Sequence, residues 1–162
     1  SDDLVADPES GLLKAVLLDR HPDGDGTGFA GFLTGFGAFE GAVATSVVWE
    51  TPGVLAVGSG DDLRTAVGHV NEMGGGWAVV DDGEVVAELP ARVAGVCSDL
   101  EVEETAKLYD AIASALRTLG ATADRPMLAL QTLTFPGVPA LKMSFSGYAD
   151  VFARETVGLA PE

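Results

Sequence analysis

The sequence predicts an α+β domain, a mixed and largely antiparallel β-sheet with two main helices packed on it. Two observations carry this prediction. The predicted elements follow one another as strands, helix, hairpin, helix and strand, and a helix–strand–turn–strand unit occupies residues 69–90, HVNEMGGGWAVVDDGEVVAELP. With 162 residues, 47% of them hydrophobic, the chain can bury a sizeable core as one domain over 1–162, with residues 1–10 as a loose lead-in.

Strands joined by turns are predicted for the first part of the chain. Four apolar segments fit strands, at residues 13–19, 28–36, 42–48 and 54–57. HPDGDGTG at 21–28 is a glycine-rich loop, and Pro52-Gly53 marks the turn before the fourth strand. Small and aromatic residues alternate in GFAGFLTGF at 28–36. Glycines this frequent in a strand predict a close backbone approach or a bulge.

A helix follows these strands. Capping-type residues at 59–62 open it, and Gly74 lies where a left-handed C-terminal cap belongs. Its apolar face has helical spacing and consists of Leu63, Ala66, Val67, Val70 and Met73.

The helix leads into a β-hairpin. Residues 77–80 form the outgoing strand, and Asp82-Gly83 is a strong two-residue hairpin signal. In the return strand, the alternation of side chains predicts Val85, Ala87 and Leu89 on one face. The same alternation predicts Glu84 and Glu88 on the opposite face.

A second helix is predicted to begin at a capping box, Ser98-Asp99-Leu100-Glu101, and to run to about Leu119, with Gly120 as its stop. Its expected buried residues are Val102, Tyr109, Ile112, Ala113, Leu116 and Leu119. Residues 127–135 fit either a buried strand or a short helix, because the hydrophobic period does not separate the two. Residues 141–151 are expected to form a short final strand or loop.

The formal charge of −16 arises from 25 acidic residues set against 9 basic ones. We expect no nucleic acid and no membrane as partners, since both nucleic acid and anionic lipid need a basic footprint. Acids spread along the chain, with few lysines, indicate a halophilic, salt-adapted protein. No apolar run approaches the roughly 18–20 residues of a membrane span, and a single cysteine, Cys97, fits a reducing cytoplasm.

Residues that could carry chemistry are few. The two histidines, His21 and His69, form neither a His-x-His nor a His-Glu-x-x-His pair, and the lone cysteine cannot supply a thiolate zinc site. His69 is expected beside the apolar face of its helix, whereas His21 opens the glycine-rich loop. Ser98 fits an N-cap better than a nucleophile, because no histidine lies near it in sequence. We therefore expect no metal, no cofactor and no catalytic residue in this chain.

Neither glycine cluster predicts a nucleotide site. GDGTG at 24–28 precedes a strand, whereas a dinucleotide site needs a helix to begin there. The second cluster, Gly74-Gly75-Gly76, follows the C-terminal end of a helix, and the helix dipole disfavours anions at that end. We interpret these glycines and the hairpin turn as structural turns and caps, at Gly74, Gly75, Gly76, Asp82 and Gly83.

EMGGGWAVVDDGEVVAELP at 72–90 resembles the C-terminal domain of the adenine deaminases of the amidohydrolase superfamily. The similarity continues in LLDRH (17–21), GFLTGFGAFEGAVATSVV (31–48), VLAVG (54–58), ELPARVAGVCSD (88–99) and the tail 126–151, with its Pro-x-x-Pro at 136–139. The resemblance therefore covers nearly the whole chain, in order.

The resemblance implies a part of a hydrolase that converts adenine and water to hypoxanthine and ammonia. In that family a manganese or iron centre, held by histidines and acidic residues of a TIM-like barrel, activates a hydroxide that attacks the purine. We expect that metal-binding amidohydrolase barrel outside this chain, in the same polypeptide or as a separate subunit. The barrel is then the implied partner.

One segment departs from the family pattern. Where the family has His-Asp-Ser-His-Asn after the third strand, this chain has Trp49-Glu50-Thr51-Pro52-Gly53. A different purine or cyclic amide is therefore an open alternative for the substrate. The residues expected on the substrate side or at an interface are His21, Glu50, Cys97, Ser98 and Asp99.

Two further interpretations stay open. One is a stand-alone, non-catalytic module that binds a small ligand or scaffolds another subunit, and the Trp49–Gly53 substitution favours it. The other is an independent small hydrolase, which the sparse set of reactive residues disfavours. A homo-oligomer is compatible with each of them.

The charge generates a prediction about salt. We expect the melting temperature to rise by several degrees between about 0.05 M and about 2 M KCl, because salt screens the self-repulsion of the acidic surface. Thermal unfolding followed by circular dichroism measures this shift. A melting temperature indifferent to salt would refute the salt-adapted interpretation.

Overall fold

The computed structural model describes residues 5–21, 27–49, 53–138 and 140–159. The strands in these ranges are Leu13–Asp19 (β1), Gly28–Leu33 (β2), Ala42–Thr45 (β3), Gly53–Gly58 (β4), Gly76–Asp81 (β5), Glu84–Pro90 (β6), Leu141–Ser144 (β7), Gly147–Asp150 (β8) and Glu155–Val157 (β9). The helices are Asp62–Glu72 (α1), Val102–Thr118 (α2) and Pro126–Gln131 (α3), with 3-10 turns at Pro8–Ser10 and Thr132–Thr134.

The described strands form two sheets. Six of them are ordered β2-β1-β4-β3-β5-β6, and the other three are ordered β7-β8-β9. Every strand pair within the described ranges is antiparallel. The predicted α+β class and the four early strands are confirmed. Residues 127–135 form α3 and the following 3-10 turn, so the helical alternative is the correct one.

The two faces of the six-stranded sheet carry side chains of different size. Leu17, Leu55, Trp77 and Leu89 are buried in the cluster that includes Ile112 and Leu116 of α2 and Met127 and Leu130 of α3. On the opposite face Ala44, Ala56 and Ala78 lie side by side on paired strands, in one cluster with residues of α1. The small alanine side chains leave room for α1 to pack close to β3 and β5.

A β-bulge in the hairpin overturns one prediction. Val79 pairs with Ala87 but Val80 pairs with Val85, so Val86 is an extra residue without a partner in β5. The alternation of faces is therefore interrupted: Val85 packs in the α1 cluster, whereas Ala87 packs in the α2 cluster. Glu84 and Glu88 consequently do not share a face either. The local pattern of the sequence contains no signal for this extra residue.

Both long helices end in the same hydrogen-bonded motif. At the end of α1 the N–H of Gly74 donates to the carbonyl of Asn71 and that of Gly75 to Val70. Gly74 has φ +80°, the left-handed conformation that a Schellman cap needs. Gly120 (φ +105°) and Ala121 repeat the arrangement after α2. The predicted stops are confirmed at Gly74 and Gly120, and Asp82 and Gly83 form the predicted turn with φ +48° and +82°.

The start of α2 differs from the prediction. The helix begins at Val102, its N-cap position is Glu101, and no side chain caps it. The capping box is wrong, because the Ser98 hydroxyl accepts instead from the N–H of Leu100, at 3.2 Å. Val102 and Tyr109, predicted to be buried, are 77% and 47% exposed, because α2 turns a different side to the core, with Ile112 and Leu116 buried and Leu108 partly buried beside them.

The second sheet protects the open edge of the first. The N–H of Phe32 in the edge strand β2 donates to the hydroxyl of Tyr148 at 2.6 Å, and that hydroxyl donates to the Phe32 carbonyl at 3.0 Å. The ring of Tyr148 packs edge-on against Phe29, with 4.9 Å between ring centroids. A Cβ at Gly31 would lie 2.3 Å from the Tyr148 hydroxyl. The glycines of this strand were predicted to mark a close backbone approach or a bulge; at Gly31 the close neighbour is instead the side chain of Tyr148.

No helix in the described ranges has the length and apolar character required to cross a membrane.

Replacing Tyr148 with Phe tests this edge contact. The variant removes both hydrogen bonds to Phe32, and we expect a loss of about 1–3 kcal/mol in the free energy of unfolding. The matched control is Tyr109→Phe, since Tyr109 is the other tyrosine of the chain and is half-exposed. Urea unfolding measures both variants. Equal stabilities of the two would contradict the role assigned to Tyr148.

Candidate functional site

Most of the predicted site residues lie at one end of the six-stranded sheet. Antiparallel pairing places the last residues of β1, β3 and β6 at the same end as the first residues of β2, β4 and β5. We call this end of the sheet the loop end. Segment 91–99 follows β6 and covers it. The Asp82-Gly83 turn joins β5 to β6 at the opposite end of the sheet.

Segment 91–99 is held by a tight turn of its own. The N–H of Val93 donates to the carbonyl of Cys97 at 3.0 Å, and the N–H of Cys97 donates back to Val93 at 3.1 Å. Ala94 and Gly95 between them both have positive φ, +55° and +72°. Ala94 is sterically strained in this conformation because it has a Cβ. The surroundings must therefore hold the turn in place.

A buried serine connects this turn to the sheet. The hydroxyl of Ser46, which follows β3, donates to the carbonyl of Gly95 at 2.6 Å and accepts from the N–H of Gly76 at 2.8 Å. Ser46 is only 1% exposed, so both hydrogen bonds are shielded from water. One hydroxyl thus joins β3, β5 and segment 91–99.

An arginine after β1 holds the same turn from the other side. The Arg20 guanidinium donates to the carbonyl of Ala94 at 2.8 Å. A Cβ at Gly95 would lie 2.0 Å from the Arg20 Nη1 atom, so any larger residue there would displace the guanidinium from this position. Arg20, Ser46 and Gly95 were not singled out from the sequence. They lie in three separate stretches, LLDRH, AVATSVV and ARVAGVCSD, and no local pattern indicates that these meet.

The glycine triplet has a packing role at the loop end. A Cβ at Gly75 would lie 2.4 Å from the Gly95 Cα and 2.9 Å from the Ser46 hydroxyl oxygen. The Gly75 carbonyl accepts from the N–H of Ala91 at 2.9 Å. Gly74 caps α1, while Gly75 and Gly76 let the 91–99 backbone lie directly on the sheet end. No anion-binding arrangement is present in this cluster, since its N–H groups donate within the protein.

The site candidates of segment 91–99 face solvent. Cys97 is an exposed free thiol. The Asp99 carboxylate pairs with Arg92 at 3.2 Å, and the two side chains are about half exposed. Ser98 is half-buried and its hydroxyl accepts from Leu100. No nucleophile–base pair is formed among them.

The other candidates lie around the same end. His21 is exposed, and its N–H donates to the Asp19 carboxylate at 2.8 Å. Trp49 is half-exposed and stacks on Phe135, with 5.9 Å between ring centroids and 29° between ring planes. Its carbonyl accepts from the Thr134 hydroxyl at 3.2 Å. Glu50 lies outside the described residues.

His69 lies far from this group along the chain and pairs elsewhere. Its Nε2 atom is 2.5 Å from the Glu88 carboxylate, across the surface between α1 and β6. Within the described ranges, no three His, Cys, Asp or Glu side chains come together as a metal site. The described residues therefore do not fit the metal centre of an amidohydrolase.

The sequence of the chain was compared with those of known proteins and protein families. The family model described as the adenine deaminase C-terminal domain matches residues 1–155. The chain is 38% identical over 156 residues to an adenine deaminase of Oleidesulfovibrio alaskensis, covering 96% of the chain and 27% of that relative. It is 36% identical to one of Gluconobacter oxydans and 35% identical to one of Desulfatibacillum aliphaticivorans, in each case over 91% of the chain and 26% of the relative. The chain thus spans about a quarter of the length of these relatives.

The close backbone approach at Gly75 can be tested by comparing two neighbouring glycines. A Cβ at Gly74 would meet no atom within 4 Å, so Gly74→Ala adds only the left-handed strain of about 1–2 kcal/mol. Gly75→Ala adds a clash with the Gly95 Cα to the strain of its own φ of +120°, and we expect a loss of about 3 kcal/mol or more. Urea unfolding measures both, and a Gly75→Ala loss no larger than that of Gly74→Ala would contradict the packing described here.

Proposed function

The chain belongs to the adenine deaminase C-terminal domain family, and on this basis we propose that it serves as the C-terminal domain of an adenine deaminase. The reaction is the hydrolysis of adenine to hypoxanthine and ammonia. The chemistry is carried by a metal-binding amidohydrolase barrel, with manganese or iron, in the same polypeptide or in a separate subunit. The family match over residues 1–155 is the observation that carries this proposal.

The loop end is the part of this domain that we propose to face the substrate side of the barrel. His21, Trp49, Cys97 and Asp99 lie there on a rigid base formed by Ser46 and the glycines. Glu50 follows Trp49 in the chain. Such residues position and enclose a substrate, and they do not replace the metal centre. We assign them no catalytic step.

A non-catalytic module is the second candidate. Trp49 occupies the place where the family has the first histidine of its His-Asp-Ser-His-Asn run, and its stacked, half-exposed ring offers a face for a planar ligand. In this case the chain binds a small ligand or scaffolds another subunit without adenine turnover. The replacement of the family's His-Asp-Ser-His-Asn run by residues 49–53 is also compatible with a substrate purine other than adenine.

Two features of the chain, its net charge and its free thiol, support a proposal about the cellular setting. The net charge of −16 suits a salt-rich cytoplasm, where screening limits self-repulsion. The free thiol of Cys97 suits a reducing compartment. We propose a halophilic, cytoplasmic enzyme on these grounds.

Ammonia release tests the proposal that the barrel, and not this chain, carries out the chemistry. With added Mn²⁺ and adenine, we expect no ammonia from the 162-residue chain alone, and we expect turnover when it is combined with the barrel of the same organism's adenine deaminase. A coupled glutamate dehydrogenase assay measures the ammonia. The barrel alone is the matched control.

Two outcomes would contradict the proposal. Turnover by the isolated chain would place the chemistry in this domain. A barrel whose adenine turnover and stability are both unchanged by the chain would favour the non-catalytic module, and binding of purines to the isolated chain, measured by calorimetry, would then identify its ligand.

A further inference from the structure

A broad hollow lies beside the loop end, between segment 97–100 and the first half of α2. Its volume is about 600 Å³, and its walls are mainly apolar, with Leu100, Val102, Ala106 and Tyr109 among them. Cys97 and Ser98 line its border. We call this surface the α2 hollow.

The apolar residues of the α2 hollow are unusually exposed. Val102 is 77% and Tyr109 47% exposed, although each lies on the side of α2 that the helical period predicts to be buried. The face of α2 that meets the core consists of Ile112 and Leu116, with Leu108 partly buried beside them, and Val102 and Tyr109 are not part of it. These apolar side chains of α2 therefore lie outside the core that the helix covers. An exposed apolar stripe of this kind marks an interaction surface.

The stretch of chain that borders the hollow, which we call the negative rim, has a strongly negative charge, and Asp110 lines the hollow itself. Between positions 99 and 110 the chain carries one basic residue, Lys107. The acidic residues of the same stretch are Asp99, Glu101, Glu103, Glu104 and Asp110. Asp99 is paired with Arg92, and both Glu103 and Glu104 lie in the first turn of the helix. A partner that covers the apolar floor must meet this negative rim.

The negative charge around the hollow distinguishes between the partners that could bind there. A second copy of the chain would bring another negative rim against this one, within an overall charge of −16 on each copy. A complementary partner instead presents an apolar ridge flanked by lysine or arginine. The relatives extend well beyond the matched part, since the chain covers only 26–27% of each of the three compared.

We propose that the α2 hollow is the docking surface for the catalytic barrel, which inserts an apolar ridge with basic flanks between segment 97–100 and α2. This inference rests on the proposed function, because the barrel is its occupant. It places the interface directly beside the loop end, so that docking at α2 presents segment 91–99 to the barrel.

Cys97 provides a direct probe of the contact. It is the single cysteine of the chain, it is exposed, and it lines the hollow. We expect iodoacetamide to modify Cys97 readily in the isolated chain and at least tenfold more slowly in the complex with the barrel, as followed by peptide mass spectrometry. An unchanged rate in a complex that has formed would overturn the docking site.

Substitutions test the same surface independently. Val102→Lys should weaken association with the barrel at least tenfold, by removing an apolar contact and adding a charge that repels the basic flanks. Phe152→Lys is the matched control, since Phe152 is comparably exposed, at 73%, on the β8–β9 connection. Both sites are exposed, so the fold should survive, and circular dichroism verifies this. Calorimetry measures the affinities, and equal affinities for the two variants would overturn the proposal.

The negative rim has its own test. Asp110→Asn combined with Glu103→Gln should weaken association several-fold in low salt and reduce its salt dependence, because Asp110 lines the hollow. An unchanged affinity and salt dependence would overturn the charge-complementary partner.

The two proposals fail in different ways. If the unmodified chain does not bind the barrel at all, the proposed function fails. If it binds, restores turnover and leaves Cys97 reactive, the proposed function stands and the α2 hollow is not the interface.

Discussion

The arrangement of the loop end depends on one buried hydroxyl. Ser46 donates to Gly95 and accepts from Gly76, and these two hydrogen bonds can form only where the backbones approach without side chains between them. Gly75 and Gly95 supply that space, because a Cβ at Gly75 would lie only 2.4 Å from the Gly95 Cα. Because the serine is shielded from water, removing either partner would leave a buried polar group unsatisfied. The position of segment 91–99, and of Cys97 and Asp99 on it, follows from this constraint.

The size difference between the two sheet faces explains how the helices are used. The alanine face brings α1 close, so α1 and the hairpin form one compact unit, linked further by the hydrogen bond from the Gly83 N–H to the Asp62 carboxylate at 2.9 Å. The face with Trp77 and Leu89 instead needs the larger cover of α2 and α3. Val102 and Tyr109 of α2 take no part in this cover and remain exposed. They are consequently available for contact with another surface.

The sequence predicts this fold well wherever the signal is local. Gly74 and Gly120 end their helices as expected and Asp82-Gly83 makes its turn, because each of these depends on the conformational freedom of one or two residues. The failures are non-local. The bulge at Val86 depends on pairing with β5, and the exposure of Val102 depends on which side of α2 packs on the core. Arg20, Ser46 and Gly95 are distant in sequence. The sequence therefore allowed the candidate site residues to be named, but not the contacts that hold segment 91–99 in place.

The capping-box error has a consequence for the interface. A capping box formed by Ser98 and Glu101 would have begun the helix next to Cys97 and drawn segment 97–100 onto its first turn. Instead the Ser98 hydroxyl accepts from the N–H of Leu100, Asp99 pairs with Arg92, and α2 begins only at Val102. Cys97, Ser98 and Leu100 line the α2 hollow together with residues of the first half of α2. The hollow and segment 91–99 therefore share Cys97 and Ser98. A partner seated against α2 therefore contacts the border of the loop end without any rearrangement of the core.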